Sequence, residues 1–377
     1  MKLISIDMFQ ANSYDGLPGK MRALGQNLMP MILDAVRCAV FASFTAGILA
    51  AYSESADAEP VTLRLHTFNS PRSIAVQQFL LPWAEEIEER SGGRAIVEVY
   101  PAMQLGGRPS DLYAQARDGV VDIAWTLPGY TAGRFPLTEV FELPFVCGDA
   151  EATSRALNEF HRTRMQDEYG DTHPLVFHAA AAGHIHTTDK QVLTLEDLAG
   201  LKIRAPSRTS AEILEALGAV PVGMPIPQVY EALSRGVVEG TWIPWTIMRP
   251  FRLHEVTSYH TELSLFCPLF VMTMNRSRYD GLPEDIRKII DETTGPALAA
   301  RLGRLWQDDE KPGRDIALEL GHPIVSLSGP ERQRWRDVTQ PVIDSWLGKV
   351  GAMGQDGMTL LEDARRLVDK YSHEPRR

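Results

Sequence analysis

The chain has 377 residues, and its 49 acidic side chains outnumber the 38 basic ones, which gives a formal net charge of −11 at pH 7. It has no lysine- or arginine-rich tract that could follow a phosphate backbone, so the composition argues against a nucleic-acid partner. A chain of this length suits two lobes, each with its own core.

The N-terminal residues 1–58 differ in pattern from the rest of the chain. An apolar run over residues 38–52 follows Arg37, and the sequence A-D-A stands shortly after it at residues 56–58. This is the order of a secretory signal peptide, and the run is shorter than the about 20 residues of a membrane-spanning helix. We therefore predict that residues 1–58 are an N-terminal extension and signal peptide and that the protein is periplasmic. An uncut membrane anchor is the alternative.

Strand-like and helix-like patterns alternate after residue 58, which indicates an α/β protein. The first part of this region is predicted to hold a strand over 61–68, a helix over 73–90 that ends at Gly92-Gly93, a strand over 95–100, a helix over 110–117 and a strand over 120–126. Two strand-helix units therefore follow each other directly.

The later part of the chain continues the alternation. The patterns predict a short acidic helix that leads into a strand within 192–203, and helices over 207–217 and 228–235. The stretch 283–320 is predicted to be mostly helical, with a kink at Gly295-Pro296. Such a helix would be long enough to span both lobes.

Five sequence motifs occur in a fixed order along the chain. They are P-A-M-Q-L-G at 101–106, D-G-V-V-D-I at 118–123, G-R-F-P-L-T-E-V-F-E-L-P-F at 133–145, E-D-L-A-G-L-K-I-R-A-P at 196–206 and V-Y-E-A-L-S-R-G-V-V-E-G at 229–240. On these motifs the chain resembles the DctP-type substrate-binding proteins of tripartite ATP-independent periplasmic (TRAP) transporters.

The resemblance implies a two-lobed periplasmic-binding-protein-like fold, with a ligand cleft between the lobes and a long kinked helix spanning both. The expected divisions are 59–182 plus about 270–308 for lobe I, 183–269 plus about 309–345 for lobe II, and 346–377 for a C-terminal helical tail. Hinge closure would trap the ligand. The implied partners are a small organic acid and the small and large membrane subunits of a TRAP permease, and the receptor itself is expected to be a monomer without a cofactor.

Arg204 is the central candidate for ligand binding. It ends a strand-like segment directly before Ala205-Pro206, and ligands of open α/β sheets bind at the carboxyl ends of strands. Its planar guanidinium can hold a carboxylate through two charge-assisted hydrogen bonds. The resemblance implies that Arg204 is the carboxylate clamp. A surface salt bridge with Glu196 or Asp197 is the alternative.

Other positions of the expected cleft differ from the branches of the family that bind sugar acids. Phe68, Leu127 and Ile243 stand where those branches carry polar contacts, and His184 replaces a second arginine. Such a pocket satisfies one carboxylate but few hydroxyls, so the expected ligand is an apolar or aromatic monocarboxylate or 2-oxo acid. The remaining predicted ligand contacts are Ile226 and three tryptophans that offer stacking surface, Trp125, Trp242 and Trp245. Core packing is the alternative role for each tryptophan.

Three further alternatives depend on particular residues. His184 and His186 could share one face of a strand as metal ligands, but no third ligand stands nearby and no metal is predicted. Cys147 and Cys267 could pair in an oxidising compartment; we expect them to stay unpaired and buried, because both stand in apolar surroundings.

Two other functions remain possible on sequence grounds. One is a periplasmic ligand sensor without a transport role, which would have the same receptor pattern. The other is an exported hydrolase of organic acids, but no G-x-S-x-G or H-E-x-x-H motif supports an enzyme.

Overall fold

The structure is a computed structural model, and it describes residues 59–374. The predicted signal peptide therefore lies outside the described residues. No helix among these residues combines the length and the apolar character needed to span a membrane.

Five strands form the first sheet: β1 Val61–Thr67, β2 Ala95–Tyr100, β3 Ile123–Thr126, β4 Thr172–Ala179 and β10 Leu269–Asn275. Their order is β2-β1-β3-β10-β4. β1 is parallel to β2 and β3, whereas β10 runs antiparallel to β3 and β4. The alternation in β1 buries Leu63 and Leu65 and exposes Arg64, whereas His66 and Thr67 at its carboxyl end are both buried.

Six strands form the second sheet: β5 His184–Thr187, β6 Lys202–Ala205, β7 Val220–Gly223, β8 Gly240–Ile243, β9 Tyr259–Glu262 and β11 Ile324–Ser326. Their order is β11-β9-β5-β8-β6-β7. β6 is parallel to β7 and β8, while β5 is antiparallel to β8 and β9. The prediction of an α/β fold with two lobes is therefore confirmed.

Helices flank both sheets. Their bounds are Leu81–Ser91, Leu112–Arg117, Ala150–Arg164, Leu195–Leu198, Arg208–Ala216, Val229–Ser234, Arg276–Asp280, Glu284–Thr293, Gly295–Asp308, Glu310–Glu319, Gly329–Ala352 and Gly357–His373. The helix predicted over 73–90 consists of a π-helical turn, Ala75–Leu80, that continues into Leu81–Ser91. It ends where predicted, because Gly92 takes a φ of +65°, a conformation that glycine adopts without steric cost.

Two antiparallel segments cross between the lobes. One connects β4 to β5, and the other connects β9 to β10. They are joined by hydrogen bonds from Ala180 N to Pro268 O at 2.9 Å and from Gly183 N to Phe266 O at 2.8 Å. Paired connections of this kind are where hinge closure takes place.

The segment 283–320 differs from the single kinked helix that was predicted. It forms three helices, with breaks at Gly295 and Asp309. Gly295 has a φ of +73° and is followed by a proline without an N–H, so the helix cannot continue through it. The helix that touches both lobes is instead Gly329–Ala352, which also runs through the predicted tail boundary at residue 346.

Contacts at the two ends of helix Gly329–Ala352 define its path. Near its start, the carboxylate of Glu331 accepts a hydrogen bond from Leu195 N of the second lobe at 2.8 Å. Near its end, Trp346 Nε1 donates to Pro136 O of the first lobe at 2.8 Å. The prediction of the lobe divisions by residue number stays a prediction.

Cys147 and Cys267 form a disulfide, so the expectation that they stay unpaired was wrong. Cys147 stands in the loop before helix Ala150–Arg164, and Cys267 stands in the crossing segment before β10. Their apolar surroundings were a poor guide, because the residues around both are brought together by the fold: Phe145 N donates to Leu265 O at 3.0 Å.

Candidate functional site

A pocket lies between the two lobes at the carboxyl ends of β1, β3, β6 and β8. It is a narrow space with a volume of about 30 Å³. Its lining residues from the first lobe and the crossing segments are Phe68, Asn69, Leu127, Tyr130, Ala180, Pro268 and Phe270, and those from the second lobe are Arg204, Pro206, Ile226, Trp242, Ile243, Pro244 and Ile247. We call this space the cleft pocket.

Arg204 is the charged residue of the cleft pocket. Its side chain is only 2% exposed. Its Nε donates to Met224 O at 2.9 Å, and its Nη2 donates to the hydroxyl of Tyr130 at 3.4 Å. Within residues 59–374, no carboxylate forms an ion pair with it, and Glu196, the alternative partner, pairs with Arg334 instead. The protein therefore buries a cation that has no ion-pair partner among these residues.

Tyr130 connects the two lobes across the cleft pocket. It follows β3 of the first lobe, and its oxygen accepts hydrogen bonds from Arg204 and from Ile226 N, the latter at 3.0 Å, both in the second lobe. Burial raises the pKa of Tyr130, so its hydroxyl keeps its hydrogen at neutral pH. Since its oxygen is already accepting twice, this hydrogen is free to be donated to a ligand.

Stacked aromatic rings form the wall of the first lobe. Phe68 and Phe270 line the cleft pocket, and Trp125 lies behind them, with ring centroids 6.0 Å from Phe68 and 4.5 Å from Phe270. Trp125 Nε1 donates to His178 Nε2 at 3.1 Å. Burial lowers the pKa of His178 to about 3, so its ring is neutral near pH 7. The wall therefore offers a ligand an apolar, uncharged surface.

Six of the nine predicted ligand contacts line the cleft pocket: Phe68, Leu127, Arg204, Ile226, Trp242 and Ile243. Trp125 lies in the second layer, behind Phe68 and Phe270. Tyr130 and Asn69 line the pocket but were not predicted. A signal for Tyr130 existed, because a polar aromatic residue four positions after a predicted strand end stands where ligands bind.

His184 and Trp245 lie outside the cleft pocket, on the other side of β8. His184 Nδ1 accepts from Leu263 N at 3.1 Å, and its Nε2 lies 3.4 Å from a carboxylate oxygen of Glu310. Trp245 Nε1 donates to Glu262 at 3.3 Å. His184 thus does not bring a second cation into the pocket. Among residues 59–374, no group of three potential ligands could hold a metal ion.

Glu142 is a buried carboxyl group beside the lobe interface. It is 3% exposed, its Oε2 has no hydrogen-bond partner within the described residues, and Ser207 of the second lobe lies next to it. The backbone at Gly129 packs closely against both residues. A Cβ on Gly129 would come within 2.5 Å of the Cβ of Ser207 and 3.3 Å of Glu142 Oε1. Burial raises the pKa of Glu142 to about 8, outweighing the opposite effect of the Ser207 hydroxyl.

The protonation of Glu142 predicts a pH-dependent stability. Its pKa is about 8 in the folded protein and close to 4.3 in an unfolded chain, so its contribution is fully present below pH 4 and is lost as the pH rises through 8. Glu142→Gln, which mimics the protonated acid, should therefore gain stability over the wild type between pH 5 and pH 9, on the order of 3 kcal/mol. Urea unfolding at both pH values measures the difference. Glu168 has a pKa of about 7 and titrates in both proteins, so its effect on stability cancels in the difference between them. A constant difference across this pH range would contradict the prediction.

The two sheets, the paired crossing segments and the pocket between them define the class: a two-lobed solute-binding protein. Residues 66–349 match the family described as bacterial extracellular solute-binding protein, family 7, also called DctP. The chain belongs to this family, and the predicted resemblance is confirmed. Family members are solute receptors rather than enzymes, and they work with membrane permease subunits in TRAP transport.

Two similar proteins of known structure were solved with aromatic acids. A TRAP solute-binding protein from Rhodoferax ferrireducens, solved with copurified benzoate, is 44% identical with a TM-score of 0.81, over 83% of this chain and 98% of that chain. A marine metagenome protein specific for aromatic acid ligands, solved with 3-hydroxybenzoate, is 42% identical with a TM-score of 0.81, over 83% and 99%. The C4-dicarboxylate-binding periplasmic protein DctP of Rhodobacter capsulatus is 28% identical over 80% of this chain and 91% of that protein.

Proposed function

We propose that this chain is the extracytoplasmic receptor of a TRAP transporter for an aromatic monocarboxylate. The observation that carries the proposal is Arg204, a buried guanidinium that lacks a carboxylate partner within the described residues. A ligand carboxylate would accept charge-assisted hydrogen bonds from Arg204 and a further one from the hydroxyl of Tyr130. The ring would lie against Phe68 and Phe270.

The lining of the cleft pocket favours this ligand class over two others. A dicarboxylate would bring a second charge, and Arg204 is the only cation among the lining residues. A sugar acid would bring several hydroxyls, each of which costs about 1–3 kcal/mol when it is buried without a partner. An aromatic ring fits walls that are mostly apolar, because burying its surface needs no polar partner.

The similar proteins support the same ligand class. The two that are 42–44% identical were solved with benzoate and 3-hydroxybenzoate, whereas the dicarboxylate-binding protein of Rhodobacter capsulatus is 28% identical. An apolar 2-oxo acid is the second candidate, because it also carries a single carboxylate and needs few other polar partners.

Isothermal titration calorimetry with four acids tests the proposed ligand class. Benzoate should bind with the highest affinity, 4-methyl-2-oxopentanoate should be weaker, and succinate and glucuronate should show no saturable binding. Tighter binding of succinate or glucuronate than of benzoate would refute the proposal. Steady heat that continues after saturation would instead indicate turnover and favour the hydrolase.

The cellular setting is part of the proposal. The Cys147–Cys267 disulfide supports an oxidising compartment such as the periplasm. The receptor is proposed to act as a monomer that delivers its ligand to the two membrane subunits. Uptake of labelled benzoate by cells that express the receptor together with its permease separates this role from that of a sensor, which would bind the acid without moving it.

A further inference from the structure

Four residues of the cleft pocket carry a polar side-chain group: Arg204, Tyr130, Trp242 and Asn69. Arg204 and Tyr130 are hydrogen-bonded to each other and form the carboxylate end of the proposed site. The indole Nε1 of Trp242 has no hydrogen-bond partner among the described residues, but the atom is fully buried and lies 2.9 Å from the position that a Cβ on Gly183 would take, and Gly183 is not a lining residue. Asn69 is therefore the lining residue that can form a hydrogen bond with the ring part of the ligand, away from its carboxylate.

Asn69 is held firmly at the end of β1. It is 3% exposed, and its Nδ2 and backbone N both donate to Thr67 Oγ1, at 3.1 and 3.3 Å. Its backbone oxygen accepts from Ala102 N at 2.8 Å. Within residues 59–374, the carboxamide oxygen of Asn69 receives no hydrogen bond. One end of a fixed, buried amide is thus without a protein partner.

We propose that Asn69 determines specificity by binding a hydroxyl group on the ring of the aromatic acid, an inference that rests on the proposed function. A phenolic hydroxyl can donate to the free amide oxygen, whereas a ring hydrogen or a methyl group leaves that oxygen unsatisfied. If the amide were turned over, its NH₂ group would take the place of the oxygen, and the hydroxyl would accept instead. Both orientations select a hydroxyl.

The positions of the polar groups give the hydroxyl a role in closing the cleft. Arg204 is the last residue but one of β6 in the second lobe, and Asn69 follows β1 in the first lobe. A ligand bound at both ends would therefore connect the two lobes directly. An acid without the hydroxyl would keep only Tyr130 as its polar contact in the first lobe.

Calorimetric titration of the mature protein with benzoate and with 2-, 3- and 4-hydroxybenzoate tests the inference. One hydroxylated isomer should bind the wild type at least about tenfold more tightly than benzoate, as expected for a buried hydrogen bond. Asn69→Ala should remove this preference, because it should weaken the preferred isomer by a factor at least about tenfold larger than the factor by which it weakens benzoate. Ile247→Ala is the matched control at an apolar lining position, and it should weaken all four acids by similar factors.

The possible results distinguish a failure of the proposed role of Asn69 from a failure of the proposed receptor function. Equal binding of benzoate and every isomer by the wild type, or equal weakening of benzoate and the preferred isomer by Asn69→Ala, would overturn the role of Asn69 while the receptor function stands. If the wild type binds none of the four acids, the proposed function fails, and the role of Asn69 fails with it. Should Asn69→Ala not fold, Asn69→Ser is measured against the same criteria.

Discussion

Arg204→Met should lower the affinity for the aromatic acid by a factor of about 100 or more, which corresponds to about 2.7 kcal/mol. Methionine keeps an apolar stem of similar length but removes the charge-assisted hydrogen bonds to the carboxylate, worth about 1.5–3 kcal/mol each. Isothermal titration calorimetry with benzoate measures the loss.

The unliganded protein should respond differently to the same change. Without ligand, the guanidinium of Arg204 is buried and has no carboxylate partner among the described residues, so removing its charge removes an unfavourable burial. Two hydrogen bonds, to Met224 and Tyr130, are lost in exchange. The melting temperature without ligand should therefore stay close to that of the wild type. A structural arginine would show the opposite pattern, with lowered stability and unchanged binding.

A matched control is Arg334→Met. Arg334 forms ion pairs with Glu196 and Glu331 at a half-exposed position away from the cleft pocket, so its loss should leave the affinity unchanged. Tyr130→Phe should cost about tenfold, because it removes one neutral hydrogen bond. An affinity of Arg204→Met within threefold of the wild type would reject Arg204 as the carboxylate clamp.

Local sequence patterns predicted four of the eleven strands, β1, β2, β3 and β6, and most of the helices before residue 320, because alternation and helical spacing are properties of neighbouring residues. The resemblance to the family singled out Arg204, since the strand end before a proline that is visible in the chain also fits a surface salt bridge. In the helical stretch 283–320 the interruption at Gly295-Pro296 was predicted as a kink, whereas the break at Asp309 was not predicted, because no glycine or proline stands at or directly beside Asp309 in the sequence. The fold could thus be predicted better than the division of this stretch into three helices.

The composition of the cleft pocket was harder to predict, because it depends on contacts between distant residues. Tyr130 gains its role from Arg204 and Ile226, which stand 74 and 96 positions later. Trp125 and Trp245 are as apolar as Trp242, yet Trp125 lies behind the wall and Trp245 on the far side of β8. Sequence alone cannot distinguish a ring that faces a ligand from a ring that supports one.

Removing the disulfide between Cys147 and Cys267 should lower the free energy of unfolding strongly. The two residues stand 120 positions apart, so the bond closes a long loop in the unfolded chain. By the loop-closure estimate, removing it should lower the free energy of unfolding by about 4–5 kcal/mol, with measured disulfides ranging from about 0 to 5 kcal/mol. Guanidinium unfolding of Cys147→Ala/Cys267→Ala, without ligand, measures the loss.

The single variants provide the control for this loss. Because either substitution breaks the same bond, Cys147→Ala, Cys267→Ala and the double variant should lose similar amounts, and their effects should not add. Wild-type protein unfolded with a reducing agent should match them. If the double variant unfolded at the wild-type midpoint, or if the two single losses summed in the double variant, the stabilising effect would not come from the bond. The unfolding has to be followed without ligand, because a bound acid stabilises the folded state and would mask the loss.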